Sequence, residues 1–305
     1  MDIVDAHSHL WLVQDTIVDG MPIRTLKNGR SLFFGEKVQM LPPFMTDGRN
    51  TAEVFMSNMD YAQVGKAVVV QEVIDGNQNE YLQSVQQKYA DRFFCYGMVE
   101  YRSREAREKL AETTENVINM GFRGLAIPAH RLTSVPLNSE VMLNHFKMLE
   151  NKHLYLSICL ADDENQIQQM EDVISECPDL KIAIGHFGMA TTNSWASQIQ
   201  LARHKNVMVE SGGITWLYNS EFYPYPSAVA AIRKAIDMVG ADKLMWGSDY
   251  PRTITAITYK MSYDFVLKSN LLTDSEKELF MGQNAIKFYN LGSMPKLQYI
   301  KNMSE

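Results

Sequence analysis

Eight short apolar runs, separated by longer amphipathic segments, narrow what this 305-residue chain can fold into more than any other feature. The runs are "IVDAH" (3–7), "KAVVVQE" (66–72), "FFCYGMVE" (93–100), "FRGLAIPAH" (122–130), "LYLSICL" (154–160), "KIAIGHFG" (181–188), "NVMVESGG" (206–213) and "KLMWGSD" (243–249). Between them lie stretches with helical spacing and charge, among them residues 79–92, 104–121, 144–153 and 165–178. Strands that are almost continuously apolar are buried on both faces, as parallel strands covered by crossover helices are. Eight strand-then-helix repeats predict an α/β fold, a closed (β/α)8 TIM barrel in a single domain over residues 1–305. An open doubly wound sheet is the alternative. It is disfavoured because "DAHSHLW", after the first strand, lacks a Gly-rich phosphate turn.

Two segments break the rhythm. Residues 13–50 hold four glycines and three prolines among aromatic and charged residues, and a connection this long is expected to be a functional lid. Residues 213–226, "GITWLYNSEFYPYP", make an aromatic loop after the seventh strand, suited to a lid or to a contact between subunits of a homo-oligomer. Both belong at the C-terminal mouth of a barrel, where such folds carry their chemistry.

Composition removes several classes of function. A formal charge of -7 without a Lys/Arg block argues against a nucleic-acid footprint, and any anionic small-molecule substrate needs a local basic pocket. Three widely spaced cysteines, Cys95, Cys159 and Cys177, form neither a disulfide framework nor a CxxC knuckle. The chain has no long apolar run and begins without a basic leader, so a cytoplasmic protein with no membrane partner is expected.

The uncommon polar residues gather at strand ends. His7 and His9 close the first strand, one residue apart, so both imidazoles project from one face and need a common partner to offset their desolvation. His130 follows the fourth strand, His186 ends the sixth and Asp249 ends the eighth. A barrel brings strands one, six and eight round to adjacent places on its rim. Two imidazoles and a carboxylate, His7, His9 and Asp249, suit one divalent ion, zinc above all, and equally suit activation of water without a metal. Glu72 and Glu100 also stand at strand ends, as barrel carboxylates or as orienters of the site. His145, His153 and His204, on helical or loop segments, are expected to be structural.

"VDAHSHLW", "PDLKIAIGHFG", "ADKLMWGSDYP" and "GQNAIKFYNL", in that order over residues 3 to about 291, resemble the amidohydrolase-related branch of the amidohydrolase superfamily. That branch includes sugar-acid and pyrone dicarboxylate lactonases and the aminocarboxymuconate semialdehyde decarboxylase group. The resemblance implies a (β/α)8 barrel whose HxH pair and last-strand aspartate surround a water or a metal. In the decarboxylase group a histidine ending strand five is a further ligand; here "LYLSICLADDE" offers only Cys159 or Asp162 nearby. The lysine or glutamate that bridges two metals in binuclear members is absent, "IPAH" standing in its place, so a binuclear centre is not expected.

With that resemblance, the reading is hydrolysis of a small lactone, from a sugar acid or from aromatic degradation. Asp249 would be the general base, and His186 or a bound ion would stabilise the developing oxyanion. His130, Arg131 and Arg252 would grip a substrate carboxylate, and Trp216 and Tyr218 would wall the pocket. The alternatives are a metal-dependent nonoxidative decarboxylase or hydratase, in which His186 protonates carbon, and a silent barrel that binds a metabolite.

Overall fold

In a computed structural model that describes residues 1–303, every apolar run forms a strand. Strand β1 (Val4–Ser8) is followed by four short strands, β2 (Asp15–Val18), β3 (Met21–Thr25), β4 (Arg30–Phe33) and β5 (Glu36–Gln39). Seven more follow: β6 (Lys66–Val69), β7 (Phe93–Cys95), β8 (Gly124–Ile127), β9 (Tyr155–Ile158), β10 (Lys181–Ile184), β11 (Val207–Glu210) and β12 (Leu244–Met245).

The strands β1, β6 and β7 make one parallel sheet, and β8 to β12 make another in sequential order. Hydrogen bonds join the two sheets at both seams. Gly97 N–H donates to the Gly124 carbonyl at 2.9 Å, and Ala126 N–H to the Gly97 carbonyl at 3.1 Å. On the other side Ala6 N–H reaches the Trp246 carbonyl at 2.8 Å and His9 N–H the Tyr250 carbonyl at 2.7 Å. The predicted barrel is thereby closed, without free edges. At the second seam Asp5, fully buried, accepts from the Ser248 and His7 N–H groups at 2.9 and 3.1 Å and from the Tyr259 hydroxyl at 2.7 Å. Burial still pushes its carboxyl up to about 6.

Helices cover the barrel, among them Ala52–Tyr61, Asn79–Lys88, Leu110–Asn119, Glu140–Asn151, Glu164–Glu176, Pro226–Val239 and Met261–Lys268. Thr51 and Asp163 start two of them by accepting from backbone N–H groups of the first turn, and Pro226 stands where its missing N–H costs nothing. The main core lies between these helices and the outer faces of the strands. A second core fills the barrel from inside with Val4, Ala6, Val68, Ala126, Ala183 and Met245, and the C-terminal helix Asn284–Tyr289 adds Phe288 and Tyr289 to it. No helix among the described residues is long and apolar enough to cross a membrane.

The long connection expected to be a lid has strands of its own. Residues 13–50 are a four-stranded antiparallel sheet in the order β2-β3-β4-β5. Asp19-Gly20 and Phe34-Gly35 take positive φ at both central positions of their hairpin turns, the mirror-type turn that matches strand twist. Ser31 Oγ donates to Gln14 Oε1 at 2.6 Å, and Gln14 Nε2 to Asp75 Oδ1 at 3.0 Å, which ties the sheet to the barrel mouth.

His145 lies on the outer helix Glu140–Asn151 with its Nε2 3.0 Å from the Tyr101 hydroxyl, and burial holds its pKa down at about 4. Unfolded, the imidazole takes a proton near pH 6.5, which the folded chain refuses until about pH 4. Its contribution to stability is therefore complete above about 6.5 and falls by up to ~3 kcal/mol as pH drops towards 4. Denaturant midpoints at pH 7 and 5 should show that loss together with the smaller or similar losses from the buried His130 and His186, and His145→Phe should reduce it; an equally steep slope in the variant would assign the effect elsewhere.

Candidate active site

The strand C-termini open into a cavity of about 600 Å³ lined by His7, His9, His130, Arg131, Cys159, His186, Trp216, Asp249 and Arg252. These side chains come from six strand ends and the loops after them, and share one space because the barrel closes. Phe33, Val38 and Met40 roof it from the antiparallel sheet. Tyr218 packs instead against the main core, and Glu100 pairs with Arg102 on the surface, so neither takes the place expected for it.

A shift of register in β1 between Asp5 and Ser8 explains how both histidines reach the cavity. Val4 and Ala6 face the barrel interior, and the irregularity after them re-aims the chain so that His7 and His9 meet with Nε2 atoms 3.1 Å apart. His9 Nε2 is 3.1 Å from Asp249 Oδ1, and His7 Nε2 is 3.7 Å from the same oxygen. Asp249 and His186 carry positive φ, 58° and 53°, an uncommon state for non-glycine residues and one that marks functional positions. The other Asp249 oxygen accepts the Trp216 indole N–H at 2.6 Å. That bond gives Trp216 a part in holding the aspartate, beyond the wall expected of it.

Two residues that orient this group escaped the sequence reading. Glu210, at the end of β11 and almost fully buried, accepts from His7 Nδ1 at 2.6 Å, from His186 N–H at 3.1 Å and from Gly212 N–H at 2.6 Å. A Cβ on Gly212 would stand 2.7 Å from the His7 ring and one on Gly247 2.9 Å from Glu210, so both positions require glycine. Asp75, on the turn after β6, stands 3.4 Å from His9 Nδ1. The only available signal was a carboxylate ending an apolar run, "VMVESGG", which marks burial with a partner and does not name the partner.

Tautomers follow from these partners. His7 donates from Nδ1 to a carboxylate, and His186 donates from Nδ1 to the Gly212 carbonyl at 3.0 Å, so each keeps a lone pair on Nε2. Burial and the neighbouring His7 lower the His186 pKa, which keeps it neutral. Burial alone would depress His9 too, but the Asp249 and Asp75 carboxylates outweigh it and push its pKa up to about 10. Asp249 responds oppositely: burial disfavours its charge, and the His9 imidazole bonded to it overcomes this and holds its carboxyl well below the usual range.

These donors fit one divalent ion. His7 Nε2, His9 Nε2 and Asp249 Oδ1 lie 3.1 to 3.7 Å from one another. A tetrahedral ion with ligand bonds of 2.0–2.2 Å has edges of about 3.3–3.6 Å. His186 brings a fourth nitrogen, with the ligand atoms of His7, His186 and Asp249 all within 4.8 Å of one another. Cys159 lines the same cavity, but burial and the nearby Glu210 carboxylate push its thiol well above its ordinary pKa.

The amidohydrolase family model matches residues 4–291. The chain belongs to the amidohydrolase family. Among solved structures it resembles a "probable 2-pyrone-4,6-dicarboxylic acid hydrolase" from Acinetobacter baumannii with citric acid bound, at 19% identity and a TM-score of 0.70, over 95% of this chain and 100% of that one. An amidohydrolase from Burkholderia multivorans with bound zinc matches at 16% identity and a TM-score of 0.69, over 97% of this chain and 100% of that one. The 2,6-dihydroxybenzoate decarboxylase from Rhizobium matches at 14% identity and a TM-score of 0.59, over 80% of this chain and 90% of that one. Among curated proteins none matches the chain. At such identities the neighbours establish the barrel of this amidohydrolase and leave its reaction to its own residues.

Glu210→Gln should weaken zinc binding by about 10- to 100-fold, because the amide no longer fixes the His7 tautomer. Competition with a chromophoric chelator measures this, and an unchanged affinity would remove Glu210 from the role. Cys159→Ala should leave zinc content unchanged in elemental analysis; loss of zinc with the fold intact would make Cys159 a ligand.

Proposed function

We propose that this amidohydrolase opens a small lactone or related ester-like bond, with Asp249 accepting a proton from the attacking water. The observation that carries the reading is the hold on Asp249 at the cavity floor, one oxygen fixed by Trp216 and the other directed at the HxH pair. A carboxylate so placed stays ionised at neutral pH, which a proton acceptor requires, and its fixed orientation removes the entropy of finding the water.

His186, in the tautomer set by Gly212, has no donor on Nε2 for a developing oxyanion, one of the two sources expected for that stabilisation. His7, His9 and Asp249, with His186 alongside, would hold a divalent ion such as zinc, which would supply the other source, positive charge, and would make water more acidic. Glu210 keeps the His7 lone pair on Nε2, and Asp75 braces His9 from the far side. Arg252 on the cavity wall serves an anionic substrate, while Arg131, expected to share that role with it and with His130, is paired with Glu72 at 3.1 Å. The decarboxylase or hydratase reading needs a proton on His186 Nε2 that this tautomer does not carry at rest.

A panel of small lactones, read by proton release with carbon dioxide monitored in parallel, tests the proposal on protein of measured metal content. Asp249→Asn should keep its circular dichroism and lose about 10²- to 10⁴-fold in kcat, since an amide cannot take the proton. Turnover near that of the parent would remove Asp249 from the role, and carbon dioxide release without lactone opening would replace hydrolysis by decarboxylation.

A further inference from the structure

Resting on the hydrolase reading of this site, we propose that the substrate is a monocarboxylate with an apolar ring or chain, and that dicarboxylates are excluded. Arg252 takes the one carboxylate, and the antiparallel sheet over the barrel mouth takes the apolar part.

The two guanidinium groups on the cavity wall are not equivalent. Arg131 is already paired, its Nε donating to Glu72 Oε1 at 3.1 Å from a half-buried position. Arg252 has no carboxylate partner among the described residues; its Cζ lies 3.8 Å from the centre of the Trp216 ring. Stacking fixes the guanidinium plane and leaves its N–H edges free for a bidentate contact. The same indole bonds Asp249, so one rigid ring sets the spacing between the substrate's carboxylate and the residue that takes the water's proton.

A second carboxylate would meet the wrong charges. Glu72, Asp75, Asp162 and Asp249 all line the cavity, with Arg131 and Arg252 the only lysine or arginine side chains among its described lining. Like-charge approach in a partly dry pocket is costly, and an unpaired carboxylate would also lose its hydration. Away from Arg252 the wall also offers apolar surface: Phe33, Val38 and Met40 from the sheet and the residue after it, and Ile74, Leu160 and Met189 from the barrel loops. All but Leu160 of these are half-buried, with surface left for a ligand to cover.

Benzoate and benzene-1,3-dicarboxylate form a matched, unreactive pair of probes, titrated by calorimetry into the full chain with its metal content measured. Benzoate should bind at least about tenfold more tightly than the dicarboxylate. Arg252→Met should weaken benzoate by about tenfold, and Glu72→Gln, by releasing Arg131, should strengthen the dicarboxylate by a similar factor. Equal or tighter binding of the dicarboxylate by the parent protein overturns the proposal, as does binding of neither probe. Thermal unfolding checks that each variant is folded, and the parent comparison stands without them. Lactone turnover with the dicarboxylate preferred would sink this inference alone; the expected preference without any lactone turnover would sink the hydrolase reading alone.

Discussion

The buried carboxylate of Glu210 is the contact on which the geometry of the site depends. It receives one ring nitrogen from β1 and backbone N–H groups from the loops after β10 and β11, so a single side chain joins the ends of three strands. A buried charge is tolerated only when donors replace its lost hydration, and three donors at 2.6 to 3.1 Å do so. The arrangement leaves little room for drift. Glycines at 212 and 247 let neighbouring backbone close on the His7–Glu210 pair, so the imidazole is set in both direction and tautomer before any ligand arrives.

From that anchor the rest of the polar floor follows in order. His7, once fixed, faces Asp249; Asp249 is held on its other side by Trp216; His9 lies between Asp249 and Asp75. Positive φ at His186 and Asp249 fits the same logic, because strained backbone persists where the surroundings over-determine it.

Much of this was legible in the amino-acid sequence, for physical reasons that differ between parts. The eight barrel strands announced themselves because parallel strands buried on both faces must be apolar throughout, and nothing else in a chain of this length repeats that way. His7, His9, His186 and Asp249 stood out because ionisable residues at the ends of such strands need partners. The antiparallel sheet within residues 13–50 is not evident from the pattern of the sequence. Its strands are short, and their alternation is broken by Pro22 and by charges, yet "VDGM" and "NGRS" carried turn signals that could have exposed the hairpins. Glu210 and Asp75 were missed for a different reason. A carboxylate reports that it needs a donor, and only closure of the barrel reveals that the donors are His7 and His9, from a strand some two hundred residues away in one case.

The division between a rigid floor and an apolar roof also explains why chemistry is easier to read here than substrate. Floor residues are tied to strand ends, and their geometry is a consequence of the barrel itself. Roof residues come from an insertion that contributes Phe33, Val38 and Met40 to the cavity and is joined to the barrel mouth by the Ser31–Gln14–Asp75 chain of hydrogen bonds and by Val18 and Ile23 packing on Val73. Specificity then depends on which cations on the wall lack a carboxylate partner, and among the described residues that line the cavity the Glu72–Arg131 pair leaves Arg252 as the one arginine available to an anion.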